Sequence, residues 1–483
     1  MTALTPDEVS QLLAANPGDT VFLAGIGGCG MSGLAHLLLD LGHRVAGSDL
    51  AENEEIRQLR ERGATAVVGH ARQNVIGASP FLVVFTPAVG EANSELTWAQ
   101  ENGVPAIRRA ALLAALVNRQ RGLCVSGMHG KTTTSALLAF ALHNLSANPS
   151  HAIGALVPQL GRHARLAWSG ISANDAPPWF AVEADESDGT LRLFRSEHAI
   201  VLNVDAEHLD HYSGIDAVCD EFRAFAEEVR GTLVFCADDP HLRDMFTGRA
   251  RAVSYGFAND ADYRITRRFQ PTQKTSNEPL VSVFELEHRG ASLGVFALRQ
   301  HGAKNASNAA AVVALLHHLG FAPDAISRAI ADFAGAARRQ EEIFADERFR
   351  IFDDYGHHPA EIEATLRLFK ELQPRRLLVA FQPHRYTRTK SLLAQFATCF
   401  CDADRLWLTE IYAASEPPIP GVTGALLAET VRATGKAVEF VASLDALRES
   451  MRAEMQPGDI VVFLGAGDIT RAARELAEAI RAV

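Results

Sequence analysis

The sequence predicts an α/β protein of three domains with parallel sheets, and three observations lead there. Its 483 residues are too many for a single core, at roughly 100–200 residues per domain. Apolar runs of strand length alternate along the chain with amphipathic segments of helical period. Two glycine-rich segments each stand between such a strand and such a helix, where α/β proteins place ligands.

Taken in order, Thr5-Pro6-Asp7-Glu8 opens a short helix over residues 1–14, with a capping threonine, an early proline and first-turn acids. Strands follow at 20–24, 44–47 and 81–86, and helices at 32–41 and 112–117. The polar run 118–122 closes a first domain at residues 1–119. A second domain, 120–335, is predicted from strands at 123–126, 179–183, 199–203 and 232–236 with a helix at 132–145. Residues 263–298 alternate apolar and polar positions, which predicts antiparallel strands at an edge, and helices follow at 306–319 and 323–333. Residues 334–339 read as a linker, and a third domain, 336–483, has strands at 349–352, 376–381, 405–408 and 460–464.

Composition narrows the function. The chain carries 46 Lys+Arg against 58 Asp+Glu, a net charge of −12, and its basic residues are scattered, so it has no nucleic-acid footprint. Any phosphate must be held by local, focused positive charge. Six cysteines at irregular spacing imply reduced thiols rather than a disulfide framework. With no signal peptide and no apolar run near the ~18–20 residues of a membrane span, the expected setting is cytoplasmic and soluble.

The strongest local signal is Gly127-Met128-His129-Gly130-Lys131-Thr132-Thr133-Thr134, after an apolar strand and at the start of a helix. Backbone N–H groups of such a loop converge on a phosphate, Lys131 reaches the outer phosphates, and Thr132 offers an oxygen to Mg²⁺. The loop is shorter than GxxxxGK[ST], with Val125 five residues before Gly130. Metal ligands for phosphoryl transfer should be hard oxygen donors facing it. Two strand ends supply candidates: Glu183-Ala184-Asp185-Glu186-Ser187-Asp188, and Asn203-Val204-Asp205-Ala206-Glu207-His208 with Asp210 beyond. In the first domain Gly25-Ile26-Gly27-Gly28-Cys29-Gly30 matches G-x-G-x-x-G, and Asp49 closes the next strand. That pattern points to a pyrophosphate and a ribose hydroxyl, and a dehydrogenase is the competing reading. Hydride transfer has no use for the second-domain phosphate loop.

The ordered set resembles the Mur ligase family over nearly the whole chain. It comprises Gly25 to Gly33, Gly47-Ser48-Asp49, Gly69-His70, Gly130-Lys131-Thr132-Thr133-Thr134 and Glu183 to Asp188. It continues with Asp353-Asp354-Tyr355-Gly356-His357-His358-Pro359, Gln382-Pro383-His384-Arg385-Tyr386-Thr387-Arg388-Thr389 and Gly465-Ala466-Gly467-Asp468-Ile469. The resemblance implies a Rossmann-like UDP-binding domain, a central P-loop ATPase-like domain and a C-terminal Rossmann-like domain that closes over the site. It implies ATP-dependent addition of L-alanine to the lactyl carboxylate of UDP-N-acetylmuramate through an acyl phosphate, in peptidoglycan precursor synthesis. The alternative is a sister activity that joins the same sugar nucleotide to a preformed murein peptide. A nucleotide-binding regulator without catalysis would lack Lys131 or a magnesium acid, and both kinds of residue are present.

The residue roles that follow are carried by that resemblance. Lys131 stabilises the γ-phosphate; Thr132 and Glu183 hold one Mg²⁺ and His208 a second; Arg339 swings in with domain closure. Gly127, His129, Gly130, Thr133, Asn305 and Asp354 complete the ATP site. Gly28, Met31, Ser32 and Gly33 hold the diphosphate, with Ser48, Asp49 and His70 near the uridine and Thr86-Pro87-Ala88 lining the same pocket. Tyr355, His357, Arg385 and Arg388 contact the lactyl group and the amino acid. The chain departs from the family pattern at Met128 (threonine usual), Lys304 (histidine), Gln340 (an aromatic) and Thr86-Pro87 (paired serines).

Overall fold

The computed structural model describes residues 4–86, 88–90, 92–167, 177–187, 189–206, 211–269, 280–414 and 416–482. They form two compact units, each described by itself: one from Met1–Phe269, Val283–Leu298 and Ala303–Phe333, the other from Gln270–Ser282, Arg299–Gly302 and Ala334–Val483.

The first unit contains two sheets. Strands β1 (Thr20–Ala24), β2 (Arg44–Asp49), β3 (Thr65–Val68), β4 (Leu82–Phe85) and β5 (Ala106–Arg108) form a sheet in the order β3-β2-β1-β4-β5, parallel throughout. The strand order reverses between β1 and β4, and because all strands run parallel the loops after β1, β2 and β3 gather at one carboxyl edge. The preceding helix, Pro6–Ala15, starts as its sequence dictates: Thr5 accepts from the Glu8 N–H while Glu8 accepts from the Thr5 N–H at 2.7 Å.

The second sheet comprises β6 (Arg121–Ser126), β7 (Ser150–Ala152), β8 (Ala164–Arg165), β9 (Trp179–Glu183), β10 (His198–Val201), β11 (Leu233–Cys236), β12 (Ala252–Gly256), β13 (Tyr263–Phe269), β14 (Ser282–His288) and β15 (Ala291–Leu298). Its order is β15-β14-β13-β12-β11-β10-β6-β9-β7-β8. The expected antiparallel edge is present where β13 pairs β14. Helices Lys131–Asn144 and Ala303–His318 pack on this sheet, and both bury nearly all of their central residues.

The second unit holds one sheet of β16 (Glu341–Ala345), β17 (Phe349–Asp354), β18 (Arg376–Phe381), β19 (Arg405–Leu408), β20 (Val438–Phe440) and β21 (Asp459–Leu464), ordered β16-β17-β21-β18-β19-β20. Only the β16–β17 pair is antiparallel among its paired strands. Apolar side chains cover both faces, with Phe369, Phe381, Phe396 and Phe400 on one and Trp407, Met451 and Leu476 on the other.

Several boundaries differ from expectation for identifiable reasons. The helix expected at 32–41 begins at Cys29, because Gly28 is its N-cap and the last glycine of the loop already lies in its first turn. The helix expected at 112–117 spans Arg109–Asn118. Strands β3, β5, β7, β8, β12, β16 and β20 had no expectation; each is two to five residues long, too short for a period to register. In β2, Gly47 is fixed by close packing: an added Cβ would run into the carbonyl oxygen of Leu23 and the side chain of Ile26. Gly47→Ala should therefore lower the stability of the first unit by about 1–3 kcal/mol, read as a shifted denaturant midpoint with an unchanged slope.

Candidate active site

The second sheet builds a phosphate cradle from three adjacent strand ends. β6 lies between β9 and β10, in register Val125↔Glu183 and Val201↔Ser126, so the residues that follow all three emerge together. The turn after β6 needs its glycines. Gly127 has φ +133° and Gly130, the N-cap of helix Lys131–Asn144, has φ +87°; a Cβ on Gly127 would lie 3.0 Å from the backbone of Asn203. The turn is clamped by Asn203, whose Oδ1 accepts from the His129 N–H at 2.8 Å while its Nδ2 donates to the His129 carbonyl at 2.9 Å. With no side-chain cap, the first N–H groups of that helix point into the turn.

Lys131 folds back over the turn. Its Nζ donates to the carbonyls of Gly127 (2.7 Å) and Met128 (3.2 Å) and pairs with Glu186 Oε1 at 2.7 Å. Burial works to lower the lysine pKa, but Glu186 and then Asp185 outweigh it and hold the ammonium above its ordinary value. Thr132 Oγ1 donates to Glu183 Oε1 at 3.0 Å, and Glu183 Oε2 accepts from the Gly154 N–H at 2.8 Å. Two hard oxygens thus stand together at a helix N-terminus, a donor set that fits Mg²⁺. His208, with Glu207 and Asp210, lies outside the described residues, as do Pro87 and Asp188.

Arg109, from the first sheet's domain, pairs with Asp185 Oδ2 at 2.6 Å. Sequence reasoning missed it, since a lone arginine at a helix start carries no pattern. Burial pushes the Asp185 carboxyl up, but Arg109, Lys131 and the Ser187 N–H together pull it down to about 2.

At the first sheet's carboxyl edge, the predicted residues split between two tasks. Asp49 Oδ2 accepts from the Gly27 N–H at 2.8 Å, so its carboxylate organises the glycine loop. Met31 and Ser32 are buried, and Ser32 Oγ donates to the Cys29 carbonyl and faces His163. Ser48 and His70 meet at 2.8 Å, and both are tied to Glu95, which is wholly buried. Glu95 also accepts from the Ala71 N–H and Asn74 Nδ2. It stands in the first turn of an ordinary capped helix, and no sequence signal marks it. Asn305 is buried on helix Ala303–His318, and Lys304 beside it is exposed.

In the second unit the segment before β16 and the loops after β17 and β18 carry the remaining predicted residues. The Asp354 carboxylate accepts from the N–H groups of Gln340 and Gly356, both at 2.8 Å. Burial pushes its pKa up to about 6, against the pull of Arg339. Arg338 and Arg339 both lie over the Tyr355 ring, at 5.1 and 5.0 Å. Glu361, another residue without a sequence signal, accepts from the N–H groups of His357 and His358; burial opposes its ionisation, but His357 and Arg339 hold it at about 2. Burial lowers His357 to about 4, and its Nδ1 donates to the Tyr355 carbonyl at 3.0 Å. Arg388 Nη1 donates to His384 Nδ1 at 3.1 Å, and Arg385 adopts φ +69° with its side chain exposed.

A clamped glycine turn, a buried lysine and paired oxygen donors at parallel strand ends define a nucleotide-phosphate-binding α/β protein. Family profiles match in three consecutive blocks: "Mur ligase family, catalytic domain" over residues 21–121, "Mur ligase middle domain" over 125–316 and "Mur ligase, glutamate ligase domain" over 338–467. The chain belongs to the Mur ligase family. It is 40% identical over 454 residues to a UDP-N-acetylmuramate–L-alanine ligase of Solidesulfovibrio magneticus, covering 93% of this chain and 95% of that one. It is 38% identical over 482 residues to one of Myxococcus xanthus, covering 99% and 98%. Among solved structures, a UDP-N-acetylmuramate–alanine ligase of Thermotoga maritima superposes with TM-score 0.80 at 26% identity, over 96% of this chain and 99% of that one. A murein peptide ligase of Psychrobacter arcticus shares the fold at TM-score 0.69 and 21% identity, over 96% and 99%.

The Asp185 pair predicts a defined acid response. Its folded pKa of about 2 lies below the ordinary 3.8, so the unfolded chain binds that proton more tightly. The stability it supplies is complete above about pH 4 and is lost as pH falls through the folded pKa. Arg109→Met should lower stability at pH 7 and shrink the fall between pH 4 and 2, as read by urea titrations at pH 7, 4 and 3. Equal losses at all three would remove the assigned pair.

Proposed function

We propose that the chain is the ligase that adds L-alanine to the lactyl carboxylate of UDP-N-acetylmuramate, with ATP converted to ADP and phosphate. The observation that carries this reading is the phosphate cradle of Lys131, Thr132 and Glu183, in a chain 38–40% identical to L-alanine ligases over almost its whole length. The lactyl carboxylate attacks the γ-phosphorus and ADP leaves, giving an acyl phosphate. The amine of L-alanine attacks the acyl carbon, phosphate departs, and the amine proton passes to solvent.

Each step places a demand on residues of this chain. Lys131 exchanges part of its contact with Glu186 for the γ-phosphate, supplying positive charge where oxygen charge develops. The turn's N–H groups, held by Asn203, align the other phosphates. Thr132 and Glu183 would hold Mg²⁺, which when bound screens the polyphosphate charge. The glycine loop after β1 binds the diphosphate, and Ser48 and His70, set by Glu95, face the uridine. His208 is assigned a second metal position, Asn305 and Asp354 the nucleoside of ATP, and Arg339, Tyr355, His357, Arg385 and Arg388 the lactyl and amino-acid groups. The reaction is assigned to the cytoplasm; among the described residues no helix is long and apolar enough to cross a membrane.

The test is phosphate release by the purified chain with ATP, Mg²⁺ and UDP-N-acetylmuramate, offered L-alanine, glycine, L-serine or murein tripeptide. Release with L-alanine and a UDP-N-acetylmuramoyl-alanine mass is expected, and release with tripeptide alone would overturn the reading in favour of the recycling activity. Lys131→Ala should cut turnover by at least about 10³-fold while UDP-N-acetylmuramate binding, followed by calorimetry, survives. That binding loop belongs to the other sheet, so its loss in Lys131→Ala would sink the division of labour.

A further inference from the structure

A second cluster lies in the first unit, where helix Cys29–Asp40 meets the segment before β8. His36 on that helix, Glu55 in the first turn of helix Glu54–Glu61, and His163 just before β8 each offer one ligand atom, and the three atoms lie within 4.8 Å of one another. Glu55 Oε2 is 4.0 Å from His36 Nε2 and 3.7 Å from His163 Nδ1. His36 is 1% exposed, and both His36 Nε2 and Glu55 Oε2 are buried without a hydrogen-bond partner. A buried carboxylate oxygen facing a buried ring nitrogen, neither satisfied, is an expensive arrangement that a cation between them resolves.

The surroundings of each ring bear on the same point. His163 Nε2 lies 3.1 Å from the Cys29 carbonyl, which fixes the ring proton there and turns the Nδ1 lone pair towards Glu55. His36 Nδ1 accepts from Arg62 Nη1 at 2.7 Å, so the ring holds its proton on Nε2. Metal entry transfers that proton to Nδ1, and Arg62 withdraws to Asp40, whose Oδ1 it already holds through Nη2 at 2.6 Å.

We propose that His36, Glu55 and His163 form a binding site for a divalent transition metal of the Zn²⁺ type, joining the first sheet's domain to the second. Two imidazole nitrogens and one carboxylate oxygen suit that class, with water completing the shell. Bonds of about 2.1 Å place tetrahedral ligand atoms about 3.4 Å apart, so Glu55 Oε2 closes by about 0.3 Å on His163 and about 0.6 Å on His36, and the two ring nitrogens, within 4.8 Å of each other, by at most about 1.4 Å. Mg²⁺, which demands oxygen ligands, is excluded from it. The site stands apart from the proposed ligase reading and does not depend on it.

The test is titration of the metal-free full-length chain with Co²⁺ in excess Mg²⁺, following visible absorption, with Zn²⁺ competition by equilibrium dialysis. One equivalent of Co²⁺ should give a low-symmetry visible band that Zn²⁺ abolishes. His36→Ala and Glu55→Gln should each weaken binding at least tenfold, and Arg62→Met should tighten it. Circular dichroism of the metal-free variants checks folding, and Glu55→Gln preserves the shape of a half-buried side chain should His36→Ala unfold. No stoichiometric band, or a band of unchanged affinity in both Glu55→Gln and a folded His36→Ala, would overturn the proposal.

Discussion

One ammonium organises the carboxyl edge of the central sheet. Lys131 is largely buried, and a buried cation persists only with opposite charge and hydrogen-bond acceptors close by. Glu186 supplies the charge, and two carbonyls of the glycine turn supply the acceptors. Those bonds also tie the turn to the lysine, so the turn's shape is held by side chains of this chain alone. Among the described residues the edge carries three carboxylates, Glu183, Asp185 and Glu186, with Lys131 paired to Glu186 and Arg109 to Asp185. A polyphosphate added to three carboxylates and two cations meets net repulsion, which is the physical case for a divalent ion between Thr132 and Glu183.

The same charge logic joins the first two sheets. Asp185 belongs to the phosphate edge, yet its closest cation, Arg109, comes from the domain that carries the other glycine loop. Asp40, at the end of the helix leaving that loop, accepts from Arg62, from Arg162 and from the Leu166 N–H. His163 reaches from the second sheet to the Cys29 carbonyl and Ser32 Oγ beneath the loop. Side chains of one domain thereby fix backbone of the other, and a change at this junction is felt at both ligand loops.

What was legible in the sequence follows from how many residues a feature spans. The glycine turns were readable because positive φ and close approach restrict several neighbouring positions at once, as at Gly127 and Gly130. Apolar strands such as β1, β6 and β18 and helices such as Lys131–Asn144 and Ala303–His318 were readable, while helices Ile215–Glu228, Pro359–Glu371 and Ile469–Arg481 and short edge strands such as β8 and β20 had no expectation. Residues that act on the site through others were invisible. Glu95, Arg109, His163 and Glu361 are single polar residues in ordinary helices and turns, and only folding shows what they touch. Asp49 and Asp354 were expected to meet ribose hydroxyls, and in the structure their carboxylates hold backbone N–H groups.

The departures from the family pattern become intelligible in the same terms. Met128 replaces a residue whose hydroxyl might be thought to serve phosphate, yet its side chain is buried and its N–H is directed at the Asn203 carbonyl. The turn acts through its backbone, which methionine leaves intact. Gln340 holds φ +51° and donates its N–H to Asp354, so that position is constrained by main-chain geometry. Lys304 occupies the exposed first turn of helix Ala303–His318, whereas Asn305 beside it is buried. At Met128 and Gln340 the backbone N–H groups make bonds, to Asn203 and Asp354, that do not depend on the side chain, and beside Lys304 the buried amide of Asn305 is retained.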